Sequence, residues 1–175
     1  LKTTVVPVRF FQVISGALGE MVDITIENGT IFAESENVAI SSALLGEMYP
    51  NWRRVIPQTT KYTLKANVRN LESAINLTSI MTDAKTKSIF IEVEGSQLMV
   101  SGQDANYGHS KQIIDCEYGA ENVRGQFNVL LLPPCLKGIE TTNLIARFND
   151  GKGAWALSPE GSENLVYILM PMNQT

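Results

Sequence analysis

A unit made of an extended segment, an amphipathic helix and a β-hairpin recurs three times along this sequence and constrains the fold more than any other feature. Each hairpin carries its own turn signal between two β-prone runs: Asn28-Gly29, Glu94-Gly95-Ser96 and Asn149-Asp150-Gly151. The shared order and turn chemistry favour repeats over a chance succession of elements. The sequence therefore predicts an α+β fold built from repeated βαβββ units.

The helix of each unit is predicted from apolar side chains at helical spacing. In the third unit the helical region runs from Phe127 to Glu140 and contains Pro133-Pro134, so this helix either begins near Pro133 or is kinked there. The first helix is expected to stop at Gly19. The apolar positions of the first two helices are Phe10, Ile14, Ala17 and Leu18, then Leu64, Val68, Leu71 and Ile75.

A proline-bounded segment from Tyr49 to Thr60 interrupts the repeats. Pro50, Pro57 and the polar run Gln58-Thr59-Thr60 indicate a linker, with a domain boundary near Pro57. The chain also begins at Leu1 and enters Val5-Val6-Pro7 without a lead-in, so we expect it to be a piece of a longer protein.

Composition narrows the class of protein. Hydrophobic residues make up 44% and charged residues 18%, which predicts a packed core, and the net charge of −4 argues against a wholly basic surface. Cys116 and Cys135 lack CxxC spacing and are expected to be reduced. With no apolar run of about 18 residues and no signal peptide, the sequence predicts a soluble cytoplasmic chain without a membrane partner.

Residues for catalysis are sparse. The single histidine, His109, is seven positions from Cys116, and a surface histidine is favoured over a Cys-His pair because no nucleophile motif surrounds either residue. There is no phosphate-binding glycine loop, and no His, Cys and carboxylate cluster indicates a metal. We therefore predict a non-catalytic protein without a cofactor.

Basic residues recur on the polar faces of the predicted helices, at Arg9, Lys65, Arg69 and Lys137. Each alone is compatible with an ordinary solvated helix face. As a set they predict a positive surface that contacts duplex phosphates without reading bases.

Two stretches combine prolines with apolar side chains, Tyr49 to Pro57 and Val166 to Met172. Trp52 and the flanking prolines suggest that the first is a rigid edge of a protein-binding pocket. Ile168, Met170 and Met172 would suit a peptide with hydrophobic anchors, although the same segment could be a last strand that closes the core. Both hold at once if alternate side chains face the core and the pocket.

These two stretches, with Val5-Val6-Pro7 and Phe127-Asn128-Val129 in the expected order, resemble the bacterial DNA polymerase III β subunit, the β sliding clamp. The resemblance implies the DNA-clamp fold, with helices on one side of antiparallel sheets. It implies that residues 1–57 are the second half of the middle domain and that residues 58–175 are the complete third domain.

The resemblance also implies a peptide pocket and a set of partners. The implied pocket positions are Pro50, Arg54, Val55, Lys152, Ala154, Ile168, Met170, Pro171 and Met172. The departures from the family are Lys152, at a place that is often apolar, Asn173-Gln174-Thr175, which replace the usual Arg-Leu ending, and the absence of the middle-domain loop that completes the pocket.

On this basis we predict a processivity factor that encircles double-stranded DNA without sequence preference and tethers DNA polymerase III and other proteins with clamp-binding motifs. The clamp loader and a homodimeric ring are the further implied partners. The alternative hypothesis is a non-catalytic α+β protein-interaction domain with no DNA role.

Overall fold

The computed structural model describes residues 4–17, 22–46, 48–106, 108–162 and 164–173. The chain divides into two compact units, Leu1–Asn51 and Trp52–Thr175. This division falls slightly before the boundary expected near Pro57, because the 3₁₀ turn Trp52–Val55 belongs to the second unit. Leu18 and Gly19, the expected end of the first helix, lie outside the described residues, as do Gln174 and Thr175.

The described part of the first unit combines one helix with a three-stranded antiparallel sheet. At the predicted hairpin turn Asn28 and Gly29 have φ values of 48° and 78°, the left-handed backbone that these two residue types adopt most readily. Phe10 packs with Ile31 and Ala33 in a small core. In chain order the elements are helix Val8–Ala17 (α1) and strands Asp23–Glu27 (β1), Thr30–Glu34 (β2) and Ala39–Ala43 (β3).

In its described residues the second unit is an eight-stranded antiparallel sheet with two α-helices. The strands are Tyr62–Asn67 (β4), Ser88–Glu94 (β5), Gln97–Asp104 (β6), Gly108–Glu117 (β7), Val123–Asn128 (β8), Asn143–Phe148 (β9), Trp155–Pro159 (β10) and Tyr167–Leu169 (β11), and the helices are Val68–Ser79 (α2) and Leu132–Lys137 (α3). The strand order is β11-β10-β9-β4-β7-β6-β5-β8. The helix α2 packs on β4, β6 and β7 and also touches α3, so the two helices lie on one side of the sheet.

The second helix begins later than its apolar spacing predicts. Leu64 and Lys65 belong to β4, whose residues alternate between buried and more exposed, and the strand pairs with β9 along its whole length. The helix starts only after Asn67, whose side chain accepts a hydrogen bond from the Asn70 amide at 3.0 Å and caps the first turn. A spacing of four residues is compatible with both periods, so Leu64 and Val68 alone could not distinguish strand from helix.

The third helix is also shorter than predicted. Phe127 lies in β8, and α3 spans only Leu132–Lys137. Pro133 and Pro134 stand in its first turn, where a missing N–H costs no internal hydrogen bond. Of the two alternatives left open by the sequence, a start near Pro133 is therefore confirmed.

The two edge strands of the large sheet, β11 and β8, are bridged by the residues that follow β11. After β11 the chain continues to Met172, whose amide donates a hydrogen bond to the Gln126 carbonyl of β8 at 2.7 Å. The loop between β9 and β10 contacts the same strand, since Gly151 packs against the backbone of Arg124. Residues 170–172 therefore bridge β11 and β8.

We predict that Gly151→Ala lowers the free energy of unfolding by about 1–3 kcal/mol. A Cβ at this position would overlap the Arg124 carbonyl, a backbone atom that cannot move aside as a flexible side chain would. Urea unfolding measures the effect. Gly119→Ala is the matched control, because nothing lies within 4 Å of its Cβ position, and equal losses in the two variants would contradict the prediction.

None of the helices in the described part of the chain is long and apolar enough to cross a membrane.

Candidate functional site

Along the last strand, β11, the side chains point alternately toward the core and away from it. Register with β10 pairs Leu169 with Trp155 and Ile168 with Ala156. Leu169 belongs to the buried core, whereas Ile168 is half-buried and Met170 is 60% exposed. Because the core lies on the helix side of the sheet, Ile168 and Met170 face away from the helices.

Met172 continues this apolar surface toward β8. Its side chain is half-buried, and its amide is bonded to the Gln126 carbonyl, while Pro171 before it is buried. We call Ile168, Met170 and Met172 the C-terminal patch. Its backbone pairs with β10 at Ile168 and with β8 at Met172, so the patch is anchored by backbone hydrogen bonds on both sides.

The loop that joins β9 to β10 carries Lys152, which is exposed, and Ala154, which is half-buried. The Asp150 carboxylate accepts hydrogen bonds from the Gly153 amide at 2.6 Å and the Lys152 amide at 2.7 Å. These two amides hold the pKa of Asp150 below its ordinary value. The loop is thus fixed by its own acidic residue.

The other implied pocket positions are Pro50, Arg54 and Val55. Arg54 and Val55 are exposed in the 3₁₀ turn that opens the second unit. The neighbouring Arg53 guanidinium stacks over the Trp52 ring, 4.4 Å from its centre, which rigidifies the turn. Pro50 is exposed and belongs to the first unit.

Two of the four predicted DNA-facing residues lie on one surface. Arg69 near the start of α2 and Lys137 at the end of α3 are both exposed and line a groove of about 720 Å³. Glu72 and Glu140 line the same groove. Within the described part of the chain neither Arg69 nor Lys137 takes part in an ion pair, so both charges are available to an anionic ligand.

The placement of Lys65 on this helical surface is wrong. It is a β4 residue whose ammonium lies 2.9 Å from both Glu117 and Glu160, and its side chain is only 28% exposed. Hydrogen bonds to Glu160 and Glu117 raise its pKa above the ordinary value. Because side chains alternate along a strand, Lys65 lies on the other face of the sheet from its neighbours Leu64 and Ala66, which are buried in the core. Arg9 is exposed on α1 of the first unit.

The structure excludes a Cys-His pair. His109 and Cys116 lie on the same extended strand, β7, and seven residues of strand separate them by about 23 Å. Cys116 is buried, and this burial raises the pKa of its thiol. The described residues also contain no group of three or more His, Cys, Asp or Glu side chains that could hold a metal ion.

Three residues that contact the C-terminal patch or lie in the loop at Lys152 were not assigned that role from the sequence. Gln126 contributes a backbone carbonyl, and no residue type signals that role. The sequence pattern predicts only a turn at Asn149 and Asp150. An Asn-Asp pair where a loop begins is also typical of side chains that bind nearby backbone groups.

Comparison with solved structures identifies the class of fold. A crystal structure of the DNA polymerase sliding clamp from Pseudomonas aeruginosa superposes with a TM-score of 0.83 at 21% identity, covering 97% of this chain and 47% of that one. A beta subunit of DNA polymerase III from Thermotoga maritima gives 0.76 at 19% identity, covering 88% and 42%. The chain has the sliding-clamp fold, which confirms the fold expected from the sequence.

Sequence comparison then identifies the family. The profile described as DNA polymerase III beta subunit, C-terminal domain, matches residues 53–173. The chain belongs to the DNA polymerase III beta subunit family.

Curated relatives in this family are longer than the chain. The beta sliding clamp of Escherichia coli K12 is 22% identical over 149 residues, which cover 85% of this chain and 41% of that protein. That of Proteus mirabilis is 21% identical over 165 residues, covering 94% and 45%. The chain therefore spans less than half the length of these relatives.

Proposed function

We propose that this chain forms part of a replication processivity factor, a non-catalytic sliding clamp that tethers a DNA polymerase to duplex DNA. In this proposal residues 1–57 belong to the middle domain and residues 58–175 form the third domain. The observation that carries the proposal is the C-terminal patch, which a unit with the sliding-clamp fold keeps outside its core and fixes between β10 and β8.

The C-terminal patch would act as the tether. Methionine and isoleucine side chains adapt to different apolar partners, and Met170 offers most of its surface without any rearrangement. A partner peptide with a glutamine and two hydrophobic anchors would bury its anchors on Ile168, Met172 and Val55. DNA polymerase III, the clamp loader and other proteins with such motifs are the proposed users of this site.

The groove with Arg69 and Lys137 would face DNA. Two exposed cations on a helical surface provide weak contact with phosphates, and the carboxylates of Glu72 and Glu140 limit the strength of that contact. Weak, sequence-independent contact suits a protein that must slide. Encirclement would be completed by a second subunit in a homodimeric ring, with Arg9 contributing from the first unit.

We expect Arg69→Ala combined with Lys137→Ala to weaken binding to duplex DNA and to reduce its salt dependence. Each lost phosphate contact should lower the slope of log K against log salt by about 0.9. Fluorescence anisotropy with a labelled duplex across a salt series measures both quantities.

The matched control for the DNA experiment is the pair Lys85→Ala and Lys111→Ala. It removes the same charge from two exposed lysines that do not line the groove. An equal change in slope for the two double variants would show that only net charge matters and would refute the assignment of the groove.

A further inference from the structure

We propose that Asn149 and Asp150 are positioning residues of the peptide site. They would hold the connector that follows Val55 and the loop that carries Lys152 in one fixed arrangement. The inference rests on the proposed function and adds to it two residues outside the implied pocket.

Asn149 binds the connector through both ends of its side-chain amide. Its Oδ1 accepts a hydrogen bond from the Lys61 amide at 2.7 Å, and its Nδ2 donates to the Thr59 carbonyl at 3.0 Å. One side chain thus fixes two backbone groups almost ninety residues earlier in the chain. A turn former that acted only locally would have no such partners.

Asp150 binds backbone groups of the loop that follows it in the chain. Its carboxylate accepts from the Lys152 and Gly153 amides, and its carbonyl accepts from the Trp155 indole Nε1–H at 2.9 Å. Trp155 in turn stacks on Phe148 in the core, with ring centres 3.9 Å apart. The loop is therefore bonded to an aromatic residue of the buried core.

The two sets of contacts join the two sides of the peptide site. Val55 is four residues before Thr59, so its Cα lies within about 14 Å of the Thr59 Cα even if the connector is fully extended. Lys152 and Ala154 lie two and four residues after Asp150, on the other side of the site. Replacing either Asn149 or Asp150 would let one side of the site move relative to the C-terminal patch. Peptide binding would then have to order that side, and this entropy loss would lower the affinity.

The test is calorimetric titration of the 175-residue chain with a synthetic peptide that carries one glutamine and two leucine anchors. Asn149→Ala and Asp150→Ala should each weaken binding about tenfold, the usual effect of losing one or two hydrogen bonds that order a site. Asp150→Asn, which keeps an acceptor oxygen, should restore most of the affinity. If Asn149→Ala does not fold, Asn149→Asp, which keeps the acceptor for Lys61 and loses the donor to Thr59, takes its place.

Asp83→Ala is the matched control. Asp83 also accepts from two loop amides, those of Lys85 and Thr86 at 2.9 and 2.8 Å, in the loop between α2 and β5. This variant should bind the peptide as the unaltered chain does. Equal weakening in Asp83→Ala would mean that general destabilisation, not positioning, lowers affinity.

Amide hydrogen exchange separates positioning from a merely structural role. Exchange should accelerate at Lys61 only in Asn149→Ala, and at Lys152 and Gly153 only in Asp150→Ala. Accelerated exchange with unchanged peptide affinity would overturn the inference and leave the proposed function standing. Absence of peptide binding by the unaltered chain would overturn both.

Discussion

Met172→Asp is expected to weaken binding of a glutamine peptide with two apolar anchors by roughly 10- to 150-fold, which corresponds to about 1.5–3 kcal/mol for one buried anchor contact. The substitution replaces an adaptable apolar side chain by a charge that the peptide would have to desolvate. The backbone hydrogen bond from residue 172 to Gln126 is kept, so residues 170–172 should stay in place. Calorimetric titration of both proteins with the same peptide provides the measurement.

The control for Met172→Asp is Ile113→Asp. Ile113 is 53% exposed on β7 and belongs to neither proposed surface, so the same charge is introduced on the sheet without touching the site. Peptide affinity should be unchanged in this variant. If Met172→Asp also binds the peptide with unchanged affinity, the assignment of the C-terminal patch is wrong.

The largest stability effect is expected for Trp155→Ala, which should lower the free energy of unfolding of the second unit by about 3–5 kcal/mol. Trp155 is 3% exposed, stacks on Phe148 and meets the Phe127 ring edge-on at 5.1 Å. Its loss would leave a large cavity and would also remove the indole donor to the Asp150 carbonyl. Urea unfolding followed by circular dichroism gives the difference.

Trp52→Ala is the matched control, because it removes the same side chain from a position that is 46% exposed. It should cost well under 1 kcal/mol, as surface substitutions usually do, apart from the lost stacking of Arg53. A similar loss in both variants would contradict the view that the Phe127, Phe148 and Trp155 cluster anchors the core.

Turns were the most predictable part of this fold. Asn28-Gly29 favours a left-handed backbone that few other residue pairs accept, and Gly95 likewise has a positive φ of 55°. The first two hairpins follow from such local chemistry. The third predicted turn also joins two antiparallel strands, β9 and β10, but it does so through a longer loop, residues 149–154. Local signals of this kind need no knowledge of the rest of the molecule.

Helix boundaries were less predictable because two periodicities overlap there. Leu64 and Val68 satisfy the spacing of a helix, yet pairing of β4 with β9 decides that Leu64 is in a strand. The pairing of β4 with β9 on one side and with β7 on the other brings Lys65 between Glu117 of β7 and Glu160 beyond β10. No local pattern around Lys65 contains that information, so its assignment to a phosphate-facing helix failed.

The candidate site likewise has one part that local sequence patterns predict and one part that depends on long-range contacts. Alternation in Val166 to Met172 indicated side chains that could face both core and partner, and the structure places Leu169 inward with Ile168 and Met170 outward. The contacts of Asn149 with Thr59 and Lys61 could not be predicted, because they join segments that only the fold brings together.

The proposed clamp function is tested by amide chemical-shift mapping of the chain, titrated in turn with the glutamine peptide and with duplex DNA. We expect the peptide to shift the amides of Ile168, Met170 and Met172 and of the loop at Lys152, and DNA to shift those around Arg69 and Lys137. Peptide-induced shifts centred on the groove between α2 and α3, or no shift at the C-terminal patch, would contradict it.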